Sequence, residues 1–137
     1  MSAFEISIMT PDRVLFSSTE IKEIVLPTTT GRMGILANHT PLVTGLDIGV
    51  MLVSTVSDSN WMNLALLGGF ALIKDSKVTI VVSDAEFGSN IDTQEAEKSF
   101  LEAKERLEKA EDRKEKIECK LALKRSCARY EASKNRV

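Results

Sequence analysis

The stretch KVTIVVSDAEFGSNIDTQEAEKSF, residues 77–100, changes its period half-way along, and that change decides the fold. In its first seven residues Val78, Ile80 and Val82 share one face while Thr79, Val81 and Ser83 take the other, as a half-buried strand requires. From Gly88 the alternation stops. Residues 89–137 contain no Gly or Pro and are dense in Ala, Glu, Lys, Arg and Leu, a helix-forming composition. Ser89 or Asn90 is expected to cap this helical half, with Asp92 and Glu95 in the first turn, where the helix dipole favours negative charge. The expected class is therefore α+β, an all-β unit over residues 1–87 followed by a helical unit over residues 88–137.

Working back toward the N-terminus, aliphatic runs alternate with turn signals in the manner of a sandwich or barrel. FEISIM, IKEIVLP, GVMLVST, WMNLALLGGFALI and KVTIVVSD are the runs, and TPDR, TTTGRMG, NHTP, SDSN and KDSK the turns. Gly68 and Gly69 read as a tight hairpin or a close approach between strands, and Trp61 and Phe70 as core anchors.

Working forward, Ala96, Phe100, Ala103, Leu107 and Ala110 recur at 4-3-4-3 spacing and draw one narrow stripe that wants a partner. The register continues through Lys114 to Ile117 and Leu121, and no Gly or Pro interrupts AEDRKEKIE. Two shapes are open: a folded hairpin, or one straight helix roughly 65 Å long at 1.5 Å per residue. The charge of this half is split. Residues 84–118 hold 12 acidic and 7 basic side chains, net −5, whereas residues 120–137 hold Lys120, Lys124, Arg125, Arg129, Lys134 and Arg136 against Glu131 alone, net +5. The basic end is either an ordinary solvated face or a surface for an acidic partner.

At 137 residues the chain is long enough for one modest core, and a net charge of −2 gives no whole-chain sign of nucleic-acid binding. Uninterrupted apolar runs are too short to span a membrane, and MSAFEISIMTPDR lacks the basic-then-apolar order of an export signal, so a soluble chain without a targeting segment is expected. Cys119 and Cys127, eight residues apart, lie roughly 12 Å apart along a helix, too far for a disulfide, and read as free thiols in a reducing compartment.

The densest punctuation lies in PTTTGRMGILANHTPLVTG, residues 27–45, which holds His39, the one histidine, with three of the seven glycines and two of the three prolines. A phosphate cradle, a metal site and a shaped contact loop are the options. Gly31 and Gly34 match neither GxxxxGK[ST] nor GxGxxG, and one histidine with Asp47 downstream is short of a metal-ligand set. A Cys–His nucleophile would have to join His39 to Cys119 or Cys127 across the two halves. The expectation is no catalytic residue, no metal and no cofactor, with Ile35 and Leu36 anchoring a turn that shows Arg32 and Met33 outward and His39 shaping the next bend.

LPTTTGRMGILANHTPLVTGLDIGVM, then LALLGGFALIKDSKVTIVVSDAE, then the Ala-Glu-Lys-rich tail together resemble the epsilon-subunit family of F-type ATP synthases over essentially the whole chain. EFGSNIDTQEAE and IECKLALKRSCARYEA are similar to its plastid and cyanobacterial branch. The resemblance implies a flattened sandwich of about ten strands followed by a regulatory two-helix hairpin. It implies a non-catalytic rotor subunit of the central stalk, coupling proton-driven rotation to ATP synthesis, with the gamma subunit, the c-subunit ring and the beta subunit as partners. The location implied is the thylakoid membrane, peripheral, on the stromal side, or its cyanobacterial cytoplasmic equivalent. Carried onto this chain, the resemblance makes Gly31, Arg32, Met33, Gly34, Asn38 and His39 the contact turn for the c ring and gamma, although Arg32 stands where some relatives have a carboxylate. It makes Lys120, Lys124, Arg125 and Arg129 an inhibitory basic face that meets an acidic segment of beta when the helices extend. An ATP-binding motif of some bacterial relatives, IDxxRA, reads IDTQEA here, so Glu95 replaces its arginine and ATP sensing is not expected. Two other readings start from the residues alone: a β-domain binding module with a coiled-coil dimerisation tail, and a small enzyme using His39 as base.

Overall fold

The computed structural model describes residues 3–58 and 60–134. Arg136 of the basic segment and Ser59 of the SDSN turn lie outside the described residues, as do the outermost residues of the two expected units. Strands β1 (Phe4–Thr10), β2 (Arg13–Thr28), β3 (Gly31–Ile35), β4 (Leu42–Thr55), β5 (Trp61–Lys74), β6 (Lys77–Val82) and β7 (Ala85–Phe87) precede a 3-10 turn at Gly88–Asn90, helix α1 (Thr93–Lys109) and helix α2 (Arg113–Lys134).

The strand order β1-β6-β5-β4-β2-β3, with an added β1–β2 pairing, closes five strands into a ring, while β3 extends from β2 and β7 pairs with β5. Seven strands form among the described residues where about ten were expected, because β2, β4 and β5 run 14 to 16 residues each. The first part of β2 pairs with β1, and its later part with β3 and β4 through register shifts, so one continuous strand serves two neighbourhoods. The β5–β6 hairpin turns on Asp75 and Ser76, whose φ values of 52° and 60° suit a two-residue turn matched to strand twist.

The ring encloses Ile6, Ile8, Ile21, Ile24, Leu26, Met51, Val53, Leu64, Leu66 and Ile80, all fully buried. Val78, Ile80 and Val82 point inward together, as the period of 77–83 requires. Each such side chain contributes about 1.5–3 kcal/mol relative to exposure. Phe70, expected in the core, is 48% exposed, because its neighbours Ala71 and Ile73 hold the inward positions of β5. Gly68 and Gly69 lie inside β5 and do not form a hairpin; at Gly69 the backbone of β6 comes so near that a Cβ would sit 2.0 Å from the Val81 carbonyl oxygen.

The helical half is a folded hairpin. Helix α1 starts at Asp92, whose Oδ1 accepts from the Gln94 and Glu95 amides at 3.0 and 3.3 Å, so the cap falls after the expected Ser89 or Asn90, which are taken up in the 3-10 turn. The break that no Gly or Pro announced is made at Ala110, extended at φ −69° and ψ 134°, and by Asp112, whose Oδ1 accepts from the Glu115 amide at 2.8 Å and starts α2. Ala96, Ala103 and Ala110 of the stripe are buried, and Phe100 stacks on Tyr130 of α2 with ring centroids 5.8 Å apart. Past the break the register fails. Ile117 and Leu121 are exposed.

Candidate functional site

Two surfaces hold the residues singled out by sequence. The first is the turn between β2 and β3. Thr28 closes it, its hydroxyl donating to the Gly31 carbonyl and accepting from the Thr30 amide at 3.3 Å, and Gly31 sits at φ +129°. The adjoining Thr29 amide donates to the Gly45 carbonyl of β4 at 3.3 Å, which fixes the turn against the ring. Arg32 and Gly34 face solvent, as expected for Arg32. Met33 and Leu36 differ from expectation: Met33 is half-buried against the core, and Leu36 is exposed. Period two explains both, since Met33 lies two residues before fully buried Ile35 and shares its face, while Leu36, next to Ile35, points out.

Asn38 adopts a left-handed φ of 65° in the next bend, and His39 Nδ1 donates to the Thr40 carbonyl at 2.7 Å. The histidine is therefore a local brace of the bend. Neither cysteine is disulfide-bonded; Cys119 is buried, and Cys127 donates to Glu131 at 3.5 Å. Burial, and then the charge of Glu131, push the Cys127 thiol up, opposite to what a nucleophile needs. Among the described residues no group of three or more His, Cys, Asp or Glu is placed to hold a metal ion, and no helix is long and apolar enough to cross a membrane.

Beside the turn lies an exposed apolar row that sequence reading missed. Val43 of β4 pairs with Leu72 of β5, Gly45 pairs with Phe70, and the exposures are 65% for Val43, 48% for Phe70 and 40% for Leu72. Ala71 and Ile73, two apart, face inward, so the alternate positions Phe70 and Leu72 face outward, and the signal was present in the strand period.

The second surface is α2. Lys120, Lys124, Arg125 and Arg129 are not one face: at about 100° per residue, Lys120 and Lys124 lie on one flank of the helix and Arg125 and Arg129 on the other. Lys124 Nζ binds both carboxylate oxygens of Asp47 on β4, at 3.0 and 3.2 Å. Arg129 makes a two-pronged pair with Glu86 of β7, Nε to Oε2 at 2.7 Å and Nη2 to Oε1 at 3.1 Å, and its Nη1 is 3.7 Å from Glu95 of α1. Hydrogen bonds from Lys124 and then from the Ile48 amide hold the Asp47 carboxyl below its ordinary range. The Glu86 carboxylate holds Arg129 still more firmly charged. Lys120 and Arg125 are exposed and make no ion pair among the described residues. The carboxylates that receive α2 were not foreseen. Asp47 lies 77 residues from Lys124, and Glu86 lies 43 from Arg129, separations no local pattern reports.

A sandwich closed by long strands, followed by a two-helix hairpin lying on it, is matched by two family models in succession. Residues 3–88 match the ATP synthase delta/epsilon chain beta-sandwich domain, and residues 89–134 the long alpha-helix domain of the same chain. The chain belongs to the ATP synthase delta/epsilon family. Among curated relatives it is 53% identical to the chloroplastic ATP synthase epsilon chain of Tupiella akineta over 129 residues, which is 94% of this chain and 97% of that one. It is 51% identical to the chloroplastic epsilon chain of Oltmannsiellopsis viridis, over 94% of this chain and 96% of that one. Family membership at this level makes it an epsilon-type, non-catalytic subunit of a plastid ATP synthase. The fold is shared with a chain in the Euglena gracilis mitochondrial ATP synthase assembly of OSCP, F1 and c-ring, at TM-score 0.82 and 24% identity, covering 93% of this chain and 79% of that one. A chain of the Tetrahymena thermophila mitochondrial central stalk and c-ring aligns at TM-score 0.68 and 16% identity, over 94% of this chain and 95% of that one.

Proposed function

We propose that this epsilon-type chain is a rotor subunit of the central stalk, on the stromal side of the thylakoid membrane, coupling proton-driven rotation to ATP synthesis through its partners gamma, the c ring and beta. The sandwich, residues 1–87, is the rotor-binding part, and the hairpin, residues 88–137, the regulatory part. The single observation that carries the reading is the succession of both epsilon domains over residues 3–134 in a chain half identical to chloroplastic epsilon chains. The Gly31–Gly34 turn with Asn38 and His39 presents a rigid, solvent-facing edge to the c ring and gamma, and the Val43, Phe70 and Leu72 row lies beside it. The hairpin brakes ATP hydrolysis when Lys120, Lys124, Arg125 and Arg129 reach an acidic segment of beta.

The brake is tested in the reconstituted enzyme with the full-length chain carrying Lys120→Gln and Arg125→Gln, the two cations that hold no ion pair on the sandwich. Faster ATP hydrolysis at unchanged assembly is the expected result. Hydrolysis at the original rate would defeat the brake and leave rotor coupling standing. A coiled-coil dimerisation tail has less support, since the stripe of α1 is already covered by α2 of the same chain.

A further inference from the structure

Helix α2 meets the sandwich along a narrow seam of small residues. Ala128 and Ala132 pack with Val50, Ala65, Ile91 and Ala96, with Ile48, Leu52 and Tyr130 partly buried at the margin, and the alanine methyls bury far less apolar area than the leucines and isoleucines of the ring. Beside the seam the packing opens into a cleft of about 320 Å³ lined by Ile48, Phe100, Leu123 and Cys127. Asn63 adds one long hydrogen bond, Nδ2 to the Ala132 carbonyl at 3.5 Å, while its buried Oδ1 has no partner among the described residues. Apolar and neutral polar contacts alone hold this helix loosely. On either flank of Ala128 stand Lys124 and Arg129, one bound to Asp47 and the other to Glu86 and Glu95.

We propose that the Lys124–Asp47 and Arg129–Glu86 pairs are a two-point latch: they keep α2 on the sandwich, and they withhold Lys124 and Arg129 from any acidic surface until the helix lifts. The latch is a property of the chain by itself; only the consequence of its opening rests on the brake reading above. The geometry makes docking and presentation mutually exclusive for these two cations, whereas Lys120 and Arg125 offer their charge in either state. It also orders the release. The Lys124 side chain is 53% exposed and its partner Asp47 43%, against 29% for Arg129 and 39% for Glu86, so added salt weakens the Lys124 point somewhat before the Arg129 point.

The Asn63 side-chain amide and the Gly88 backbone amide, both lying against Ala132, report docking by NMR in the full-length chain. In the original chain, raising salt toward about 1 M, where the screening length falls to about 3 Å, is expected to move both resonances together toward an undocked limit. Asp47→Asn and Glu86→Gln are each expected to lower the docked-to-undocked ratio by about two- to fivefold and to flatten the salt response. Lys124→Met with Arg129→Met, acting from the helix side, should give the same loss, which guards against a local fault in the sandwich variants. Asp47→Lys combined with Lys124→Glu should dock better than Asp47→Lys alone. Unmoved resonances in the Asp47→Asn, Glu86→Gln double variant and in the helix-side variant, or no gain from the exchanged pair, would overturn the latch. In the reconstituted enzyme the same double variant should slow ATP hydrolysis; if the helix lifts and hydrolysis does not change, the brake reading fails and the latch stands.

Discussion

The interior of the ring and the seam beneath α2 are built from different materials. The ring is filled by isoleucine, leucine, valine and methionine at full burial, inside a sheet whose strands close on themselves. The seam is smaller, four alanines with Val50 and Ile91, one long amide hydrogen bond and charged pairs at its margins. A large apolar core loses free energy everywhere when it opens, while a small-residue seam flanked by exposed charge separates with little loss. The first construction resists a change of shape, and the second permits separation.

That contrast breaks first in the ring. Leu64→Ala removes a fully buried side chain and is expected to lower unfolding stability by about 2–5 kcal/mol, measured by denaturant titration. Gly88→Ala strikes the seam instead, because a Cβ there would lie 2.3 Å from the Ala132 carbonyl oxygen. The expected cost is about 1–3 kcal/mol, falling on docking and leaving the sandwich folded, so that the Asn63 amide resonance shifts while resonances of ring residues stay in place. A sandwich equally destabilised would show that the two regions do not part independently.

A smaller effect is expected at the hairpin bend. Asp112→Ala removes the side-chain acceptor of the Glu115 amide, about 0.5–2 kcal/mol of cap, and should raise the share of extended chains, seen as a longer maximum dimension in small-angle scattering. The smallest response is to pH. The Asp47 carboxyl is held below its ordinary range by Lys124, so this pair's contribution is fully present above that range and is lost only as the pH falls through the lowered value. Docking followed by the Asn63 amide should therefore be flat between about pH 6 and pH 8 and weaken only in acid, below about pH 4.

How much of this was legible from residues alone follows from the range of the interactions. The change of period at Gly88, the inward set Val78, Ile80 and Val82, and the stripe through Ala96 and Ala103 are local patterns, and each is met in the structure. Leu36, Met33 and Phe70 depart from the expectation because strand alternation from Ile35 or Ile73, and not hydrophobic identity, sets which way they point. The hairpin bend is not legible in the residues because it depends on Asp112 as a cap, a weaker mark than Gly or Pro. Asp47, Glu86 and Glu95 were out of reach, since their partnership with α2 exists only once the chain has folded back across 34 to 77 residues.

The closed ring has a mechanical consequence. A sheet with a free edge yields by unzipping, one ladder bond after another, whereas five strands paired in a circle present no end at which peeling begins. Strand β2 runs unbroken from Arg13 to Thr28, from its pairing with β1 into the turn that ends at Gly31. A torque applied at Arg32 is passed along this one strand to both of its neighbours in the ring as shear, shared among many hydrogen bonds at once.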